Sequence, residues 1–425
     1  TTRCDARVFQ RSGNFLMKYI IIHGDGMADW ACEELGGKTP LAAAHKPNMD
    51  LLATRGTLGM VATIPKGMPS GSDVGTMTML GYDPARYHTG RAPIEAASQG
   101  IEMGPRDVVF RMNLVSLKPG DGGAMVMNDF TSGHITSEEA AQIVADLRKE
   151  LAGDGIEFFN GVSYRHLMMW RGGIATTHLT PPHDITGKPV EDHLPKGAGA
   201  DLLRDLTRRS ASILREHPVN KARREAGKPE ASSVWFWGQG TRPSVPTLKE
   251  RFGVEGSVIS AVDLVNGLGR LAGLNLIKVP GATGFLDTDY AAKGRYGLDS
   301  LKSRDFLLLH IEAPDEAGHM GRADLKKEAI ERIDELIIGP MLAGLPALGD
   351  FAILLMPDHA TPSQLKTHSP EPVPFALMTS AQFKAGGGTP HRYTESDGTA
   401  TGVLVPDGYH LIELLFGSPL KTASN

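Results

Sequence analysis

Asp25, Asp315, His319, Asp358, His359 and His368 form a mixed oxygen and nitrogen ligand set of three carboxylates and three imidazoles. Such a set suits Mn²⁺ or Zn²⁺ better than Ca²⁺, which prefers oxygen, and it uses no thiolate. Six side chains are too many for a single catalytic ion that must keep a position open. They suit two ions a few ångströms apart, which can clamp both the attacking and the leaving oxygen of a phosphoryl group. Asp315 and His319 are four residues apart, so one helical turn puts both on the same face. A nucleophile is then expected nearby. The turn Pro69-Ser70-Gly71-Ser72-Asp73-Val74-Gly75-Thr76 leads into the apolar stretch Met77–Leu80, which puts Ser72 at a helix N-terminus. Backbone N–H groups and the helix dipole favour phosphate there, and metal coordination would deprotonate the serine near neutral pH.

Taken singly, these signals have ordinary explanations. Asp25 can be a turn residue, Asp315 a helix cap with His319 on the surface, and Ser72 a plain N-cap. Asp358-His359 is the most telling pair, because two polar residues at the end of an apolar strand need either solvent or a ligand. The metal reading rests on the three carboxylates reaching one place.

Three apolar runs must bring them there. Lys18-Tyr19-Ile20-Ile21-Ile22 leads to His23-Gly24-Asp25-Gly26, Phe306–Ile311 to Asp315, and Phe351–Met356 to Asp358. Continuous apolar runs of this length fit strands buried on both faces of a parallel sheet, and ligands of such sheets bind beyond the carboxyl ends of the strands. A helix from Leu325 to about Ile338 lies between the last two runs, a βαβ unit that implies a doubly wound, mostly parallel α/β sheet. Pro47 opens and Gly56 stops an earlier helix. The middle third reads differently. Thr136-Ser137-Glu138-Glu139 is a capping box for a helix to about Leu151, a second helix runs from Asp201 to Glu216, and Ser260-Ala261-Val262-Asp263 starts a third. The expected organisation is a second α/β domain at 110–295 inserted into a first domain formed by 17–109 and 296–425. Residues 1–16 have no apolar core or cleavage site of a signal peptide and read as an extension.

Composition sets the outer bounds. The chain has 425 residues, 41% hydrophobic and 22% charged, with 50 glycines and a net charge of −5. That charge argues against a nucleic-acid surface, which selects strongly basic faces. The arginine-rich stretch Arg204 to Lys228 is interspersed with Asp205, Glu216 and Glu225 and reads as a solvated helix face. Cys4 and Cys32 cannot make a disulfide framework, so a reducing, cytoplasmic setting is expected. No apolar run approaches the roughly eighteen residues of a membrane span.

The order Asp25, Ser72, Asp315-x-x-x-His319, Asp358-His359, His368 resembles that of the alkaline phosphatase superfamily. More narrowly it is similar to the archaeal-type, cofactor-independent phosphoglycerate mutases. Gly24-Asp25-Gly26-Met27-Ala28-Asp29, Leu80-Gly81-Tyr82-Asp83-Pro84, Thr89–Ala97, Pro280–Gly284 and Thr367-His368-Ser369 support the likeness, which runs from about residue 17 to the C-terminus. It implies an alkaline phosphatase-like fold in which Asp315, His319 and His368 hold one ion, and Asp25, Asp358, His359 and Ser72 hold the other. It further implies a phosphoserine at Ser72, no requirement for 2,3-bisphosphoglycerate, and an inserted domain that closes to exclude water. A small phosphorylated substrate needs local cations. The candidates are Arg91, Arg111 with Asn113, His134, Arg165 with His166, and Arg242. Thr180-Pro181-Pro182-His183-Asp184 resembles a family stretch without an assigned role. Asn128–His134 and Trp237-Gly238 stand where the archaeal mutases tend to carry arginines. With Tyr164-Arg165-His166 and Glu216-His217-Pro218, those features look like a bacterial subgroup proposed to phosphorylate homoserine from a donor such as phosphoenolpyruvate. Phosphotransfer to such an alcohol and phosphate ester hydrolysis therefore stand as alternatives, as does a binding module without metal or phosphoserine.

Overall fold

The computed structural model describes residues 17–418, so the 1–16 extension lies outside the described residues. Along the chain the strands are β1 (Lys18–Gly24), β2 (Thr57–Val61), β3 (Val108–Pro119), β4 (Met125–Asp129), β5 (Ile156–Phe159) and β6 (Arg165–Trp170). They continue with β7 (Ser233–Thr241), β8 (Gly256–Ile259), β9 (Asn275–Leu276), β10 (Phe306–Ile311), β11 (Phe351–Met356), β12 (Val373–Thr379) and β13 (Leu404–Val405). The chain divides into two compact units: Tyr87–Val245 forms one, and the segments on either side of it form the other. The smaller unit thus starts and ends earlier than the expected 110–295. The helix Arg91–Gln99 packs on β3 and β7, whereas β8 and β9 are strands of the larger unit's sheet.

That sheet has eight strands in the order β13-β2-β12-β11-β1-β10-β8-β9. Every strand runs the same way except β12, which is antiparallel to both neighbours. In the three central strands Ile20, Ile21, Ile22, Leu307, Leu308, Leu309, Ile353, Leu354 and Leu355 are all 0% exposed. Both faces are covered, which is why these strands read as unbroken apolar runs instead of alternating ones. Pairing is in step at the carboxyl ends: Gly24 lies opposite Ile311, and His23 opposite Met356. The chain therefore leaves all three strands at the same edge. The helix Ala323–Ile333, prolonged through Asp334–Ile338, links β10 to β11 and buries Ala329, Ile330, Ile333 and Ile337 against Leu307, Leu309 and Leu355.

The smaller unit is an antiparallel five-stranded sheet, β4-β3-β6-β5, with β7 paired to β3. Helices Ser137–Leu151 and Ala200–Arg215 pack on one face through Ile143, Val144, Leu147, Leu203 and Leu206, against Phe110, Met112 and Met168. The Thr136 capping box is formed as expected. Ala92 and Ala96 of the helix Arg91–Gln99 cover the other face with Val109, Leu167 and Met169. Among the described residues, no helix is long and apolar enough to cross a membrane.

One buried cation fastens the loops that leave β1 and β11. Lys326 is 0% exposed, and its ammonium donates to the carbonyls of Gly26 (2.9 Å) and Thr361 (2.5 Å) and pairs with Asp29 Oδ2 at 2.9 Å. Asp29 in turn accepts from the Ser363 backbone N–H at 3.1 Å and hydroxyl at 2.7 Å. Lys326→Met would leave the buried Asp29 carboxylate without its counter-charge and two carbonyls without this donor, a loss of roughly 3–5 kcal/mol. The expected outcome is a clearly lower urea midpoint for the larger unit, and an unchanged midpoint would count against this clamp.

Candidate active site

Asp25 follows β1 directly and is 0% exposed. Gly26, next to it, takes the left-handed conformation (φ 57°), and a Cβ there would stand 2.5 Å from both Asp315 Oδ1 and Thr361 Oγ1. Only glycine lets this turn approach the neighbouring strand ends so closely. Asp315 and His319 lie on the short helix Ala313–His319 after β10, and His319 Nε2 is 3.1 Å from Asp315 Oδ2. Asp358 and His359, two and three residues beyond β11, are 0% exposed. Ser72 opens the helix Ser72–Met79, which packs so closely that a Cβ on Gly75 would meet the Asp358 carbonyl at 2.6 Å. The structure thus brings all seven expected residues together from four parts of the chain.

Two groups can be distinguished. Asp315, His319 and His368 share one, with His368 Nε2 3.5 Å from Asp315 Oδ1 and 2.9 Å from His319 Nε2. In the other, His359 Nε2 lies 3.1 Å from Asp358 Oδ2, 3.6 Å from Asp25 Oδ1 and 3.3 Å from Ser72 Oγ. The stacked rings of His359 and His368, 4.0 Å between centroids, join the two groups.

Hydrogen bonding fixes which nitrogen of each ring faces inward. His319 Nδ1 lies 3.1 Å from the Lys366 carbonyl, and His368 Nδ1 lies 3.1 Å from the Ser70 carbonyl. A carbonyl only accepts, so both Nδ1 atoms carry hydrogen and both Nε2 atoms present lone pairs to each other and to Asp315. Thr361 spends its hydroxyl hydrogen on Asp315 Oδ1, so it accepts from His359 Nδ1 at 3.2 Å. His359 Nε2 is then also a bare acceptor aimed at carboxylates. Asp25 Oδ1 and Asp358 Oδ2 are buried with no hydrogen-bond partner among the described residues. Acceptors facing acceptors at these distances call for cations between them, and the donor set fits two divalent ions.

The charges respond accordingly. Burial first, then the neighbouring Asp358, Glu312 and Asp315, pushes the Asp25 carboxyl well above its usual range. Burial also acts to raise Asp315 and Asp358, but His319 and His368 hold Asp315 well below the usual range, and His359 and His23 hold Asp358 down. The Asp315 carboxylate pushes His319 up to about 9. Without metal, a proton therefore stands in for part of the missing positive charge.

In the smaller unit, Arg111 is buried on β3, 3.2 Å from Glu95 Oε1, with its guanidinium 4.1 Å above the Trp237 ring. Burial lowers its pKa most, and the charges of Arg91 and Arg165 add to that, so the three cations share one region. His183, also lowered mainly by burial, feels Arg111 and Arg91 and packs edge-on to Trp237 at 5.1 Å. Other candidates fall outside this cluster. His166 pairs with Met112 on the opposite face of the sheet, because neighbours in a strand alternate. Its Nδ1 accepts from the Gly161 N–H at 3.0 Å, and burial lowers it to about 4. Asn113 spends its carbonyl on Trp237 Nε1 and its amide on the Phe130 carbonyl. His134 is exposed in the turn after β4, and Arg242 is exposed just beyond β7.

The sequence reading missed His23 and His310, both 0% exposed behind Asp25 and Asp358. His23 Nε2 is 3.2 Å from Asp358 Oδ1, and His310 Nε2 is 2.9 Å from Asp25 Oδ2. Their signal was a single histidine inside one apolar run, His310, and one directly at the end of another, His23.

Comparison with known proteins bears on the family and the fold. A family model described as 2,3-bisphosphoglycerate-independent phosphoglycerate mutase matches residues 53–220. A probable enzyme of that description from Geobacter sulfurreducens is 47% identical over 94% of this chain and 99% of its own. The one from Methanothrix thermoacetophila is 50% identical over 86% of this chain and 91% of its own. Among solved structures, a Pyrococcus horikoshii protein superposes with a TM-score of 0.77 at 28% identity, covering 96% of this chain and 100% of that one. The cofactor-independent phosphoglycerate mutase of Thermoplasma acidophilum gives 0.63 at 25% identity, covering 94% and 99%.

Chelation should lower the melting temperature, and Mn²⁺ or Zn²⁺ should restore it, because bound ions stabilise the folded state that holds them. The ion replaces the His319 proton, so metal affinity should weaken progressively as pH falls below about 9. Asp358→Asn should cost the protein one bound ion. Metal analysis after dialysis reads this directly, and full occupancy in the variant would remove Asp358 from the ligand set.

Proposed function

We propose that this chain, which belongs to the family of 2,3-bisphosphoglycerate-independent phosphoglycerate mutases, interconverts 3-phosphoglycerate and 2-phosphoglycerate by passing the phosphoryl group through Ser72. The observation that carries the reading is the meeting of the Ser72 hydroxyl with Asp25, Asp358 and His359 at one sheet edge, beside the Asp315 group.

Asp315, His319 and His368 hold one divalent ion, Mn²⁺ or Zn²⁺, and Asp25, Asp358, His359 and Ser72 hold a second. When bound, the ions supply Lewis acidity that neutralises phosphoryl oxygens and lowers the pKa of the Ser72 hydroxyl. Ser72 Oγ forms its bond to phosphorus as the ester bond to the oxygen on carbon 3 breaks. That oxygen takes up a proton, leaving phosphoserine and glycerate. The glycerate turns, its 2-hydroxyl loses a proton and bonds to phosphorus, and the bond to Ser72 Oγ breaks. Ser72 begins its helix, so first-turn N–H groups face the phosphate throughout. Arg91, Arg111, Arg165 and His183 suit the glycerate carboxylate, whose planar oxygens guanidinium groups grip in pairs. This makes 87–245 the substrate-holding unit and leaves His166 and Asn113 with supporting roles in its sheet. Both phosphoglycerates are cytoplasmic metabolites, and the reaction is assigned to that compartment.

Phosphorus NMR of the metal-loaded protein with 3-phosphoglycerate should show 2-phosphoglycerate appearing without added 2,3-bisphosphoglycerate. Free phosphate alone would replace the mutase with a hydrolase. O-Phosphohomoserine formed from phosphoenolpyruvate and homoserine, with no mutase product, would replace it with a transferase. Ser72→Ala should remove turnover, at least about a thousandfold, while leaving the fold intact. Retained turnover would exclude the phosphoserine.

A further inference from the structure

We infer that His310, with Ser260 behind it, is a positioning residue that decides which oxygen of Asp25 faces the metal site. The inference rests on the reading of Asp25 as a metal ligand. His310 sits in β10 among Leu307, Leu308, Leu309 and Ile311, all 0% exposed, where an imidazole is costly unless both nitrogens are met. Both are. Nδ1 lies 2.8 Å from Ser260 Oγ, and Nε2 lies 2.9 Å from Asp25 Oδ2, with Glu312 Oε2 at 3.2 Å.

The direction of the hydrogen bonds follows from Ser260. Its oxygen accepts from the Val262 backbone N–H at 2.9 Å, and the nearest acceptor for its hydrogen is His310 Nδ1, the Val262 carbonyl being 3.4 Å away. His310 therefore accepts at Nδ1 and donates from Nε2 to Asp25. This is the reverse of His319, His359 and His368, which are tied through Nδ1 and present bare Nε2 atoms. Four of the five imidazoles around the cluster thus divide by wiring: three turn lone pairs inward as ligands, and one turns a hydrogen toward a ligand.

The consequence for Asp25 is specific. Oδ2 is taken by His310, while Oδ1, 3.6 Å from His359 Nε2, has no hydrogen-bond partner among the described residues. With Oδ2 held, Oδ1 is the oxygen presented to the ion, and the carboxylate cannot rotate to offer the other. Outer partners of this kind typically contribute roughly 10- to 100-fold in metal affinity.

The test is calorimetric titration of the metal-stripped full chain with Mn²⁺ or Zn²⁺, with bound metal counted after dialysis, so the readout does not depend on turnover. His310→Leu should weaken one of two sites by roughly 10- to 100-fold and leave the other as in the unaltered protein. His310→Gln, which restores an N–H toward Asp25, should recover most of that loss. Unchanged affinity in His310→Leu, or a glutamine variant no better than leucine, would overturn the inference. A third bound ion that disappears in His310→Leu would also overturn it, because His23, Asp25 and His310 would then be a ligand set of their own. If His310→Leu does not fold, Ser260→Ala carries the test. It keeps the imidazole but frees its wiring, so a weaker Asp25 site supports the inference and an unchanged one refutes it. Failure of the mutase assay with these shifts intact would sink the proposed reaction and leave the positioning role standing.

Discussion

Three carboxylates, Asp25, Asp315 and Asp358, are driven into contact at one end of three adjacent strands, at 0%, 3% and 0% exposure. Like charges so poorly solvated cannot all ionise without compensation, so burial and its acidic neighbours push the Asp25 carboxyl up while His359 and His23 hold Asp358 down. The surrounding architecture can be read as the means of holding the conflict in place. The in-step register of β1, β10 and β11 brings the strand ends together, Gly26 lets the turn close over Asp315, and Lys326 bolts the two departing loops to each other. Close packing of the Ser72 helix at Gly75 then puts the Ser72 hydroxyl against the same cluster. A polypeptide has reason to maintain such an arrangement only if cations belong in it.

Much of this was legible in the sequence because the same physical facts produce both patterns. Strands buried on two faces must be apolar throughout, so Ile20–Ile22, Phe306–Ile311 and Phe351–Met356 stood out, and the acidic residues after them stood out by contrast. The helix between the last two runs, expected at 325–338, is continuous through 323–338. What stayed hidden has equally definite causes. His310 interrupts an apolar run once, and a single polar residue in a fully buried strand has no periodicity to reveal it. Residues 87–109 and 246–295 changed sides because a domain boundary is set by which sheet a segment pairs with, and β8 finds its partner in β10, some fifty residues later. No local pattern encodes that pairing. His166 was grouped with Arg165 by adjacency, whereas a strand sends neighbours to opposite faces.

The smaller unit answers a different electrostatic problem. A chain of net charge −5 that handles a phosphorylated carboxylic acid must concentrate positive charge locally. Arg111 is the clearest instance: it is buried, balanced by Glu95 at 3.2 Å, and laid over Trp237. Each contact takes away part of the guanidinium's freedom before any ligand arrives, so less ordering is left for binding to accomplish. Trp237 in turn donates from Nε1 to the Asn113 side-chain carbonyl, so that asparagine is spent on the scaffold rather than aimed at an anion. Asp129 is likewise spent on its own turn, accepting from the backbone of Thr131 and Gly133 at 2.7 Å. Trp237 and His183 give the surroundings of Arg111 a less polar border than arginines would.

The two ligand groups are not equivalent, and the asymmetry follows from burial. Asp25, Asp358 and His359 are fully enclosed, and their outer contacts run to groups that are themselves buried: His310, His23 and Thr361. In the other group, the side chains of His319 and His368 keep 34% and 21% of their exposure. His319 is held at its far nitrogen by the carbonyl of Lys366, a non-glycine residue in the left-handed region at φ 58°. A ligand anchored on a strained loop at the solvent edge can give way at far lower cost than one anchored on a central strand. The His319 and His368 side is therefore the more yielding of the two groups, and the Asp25 side the more rigid.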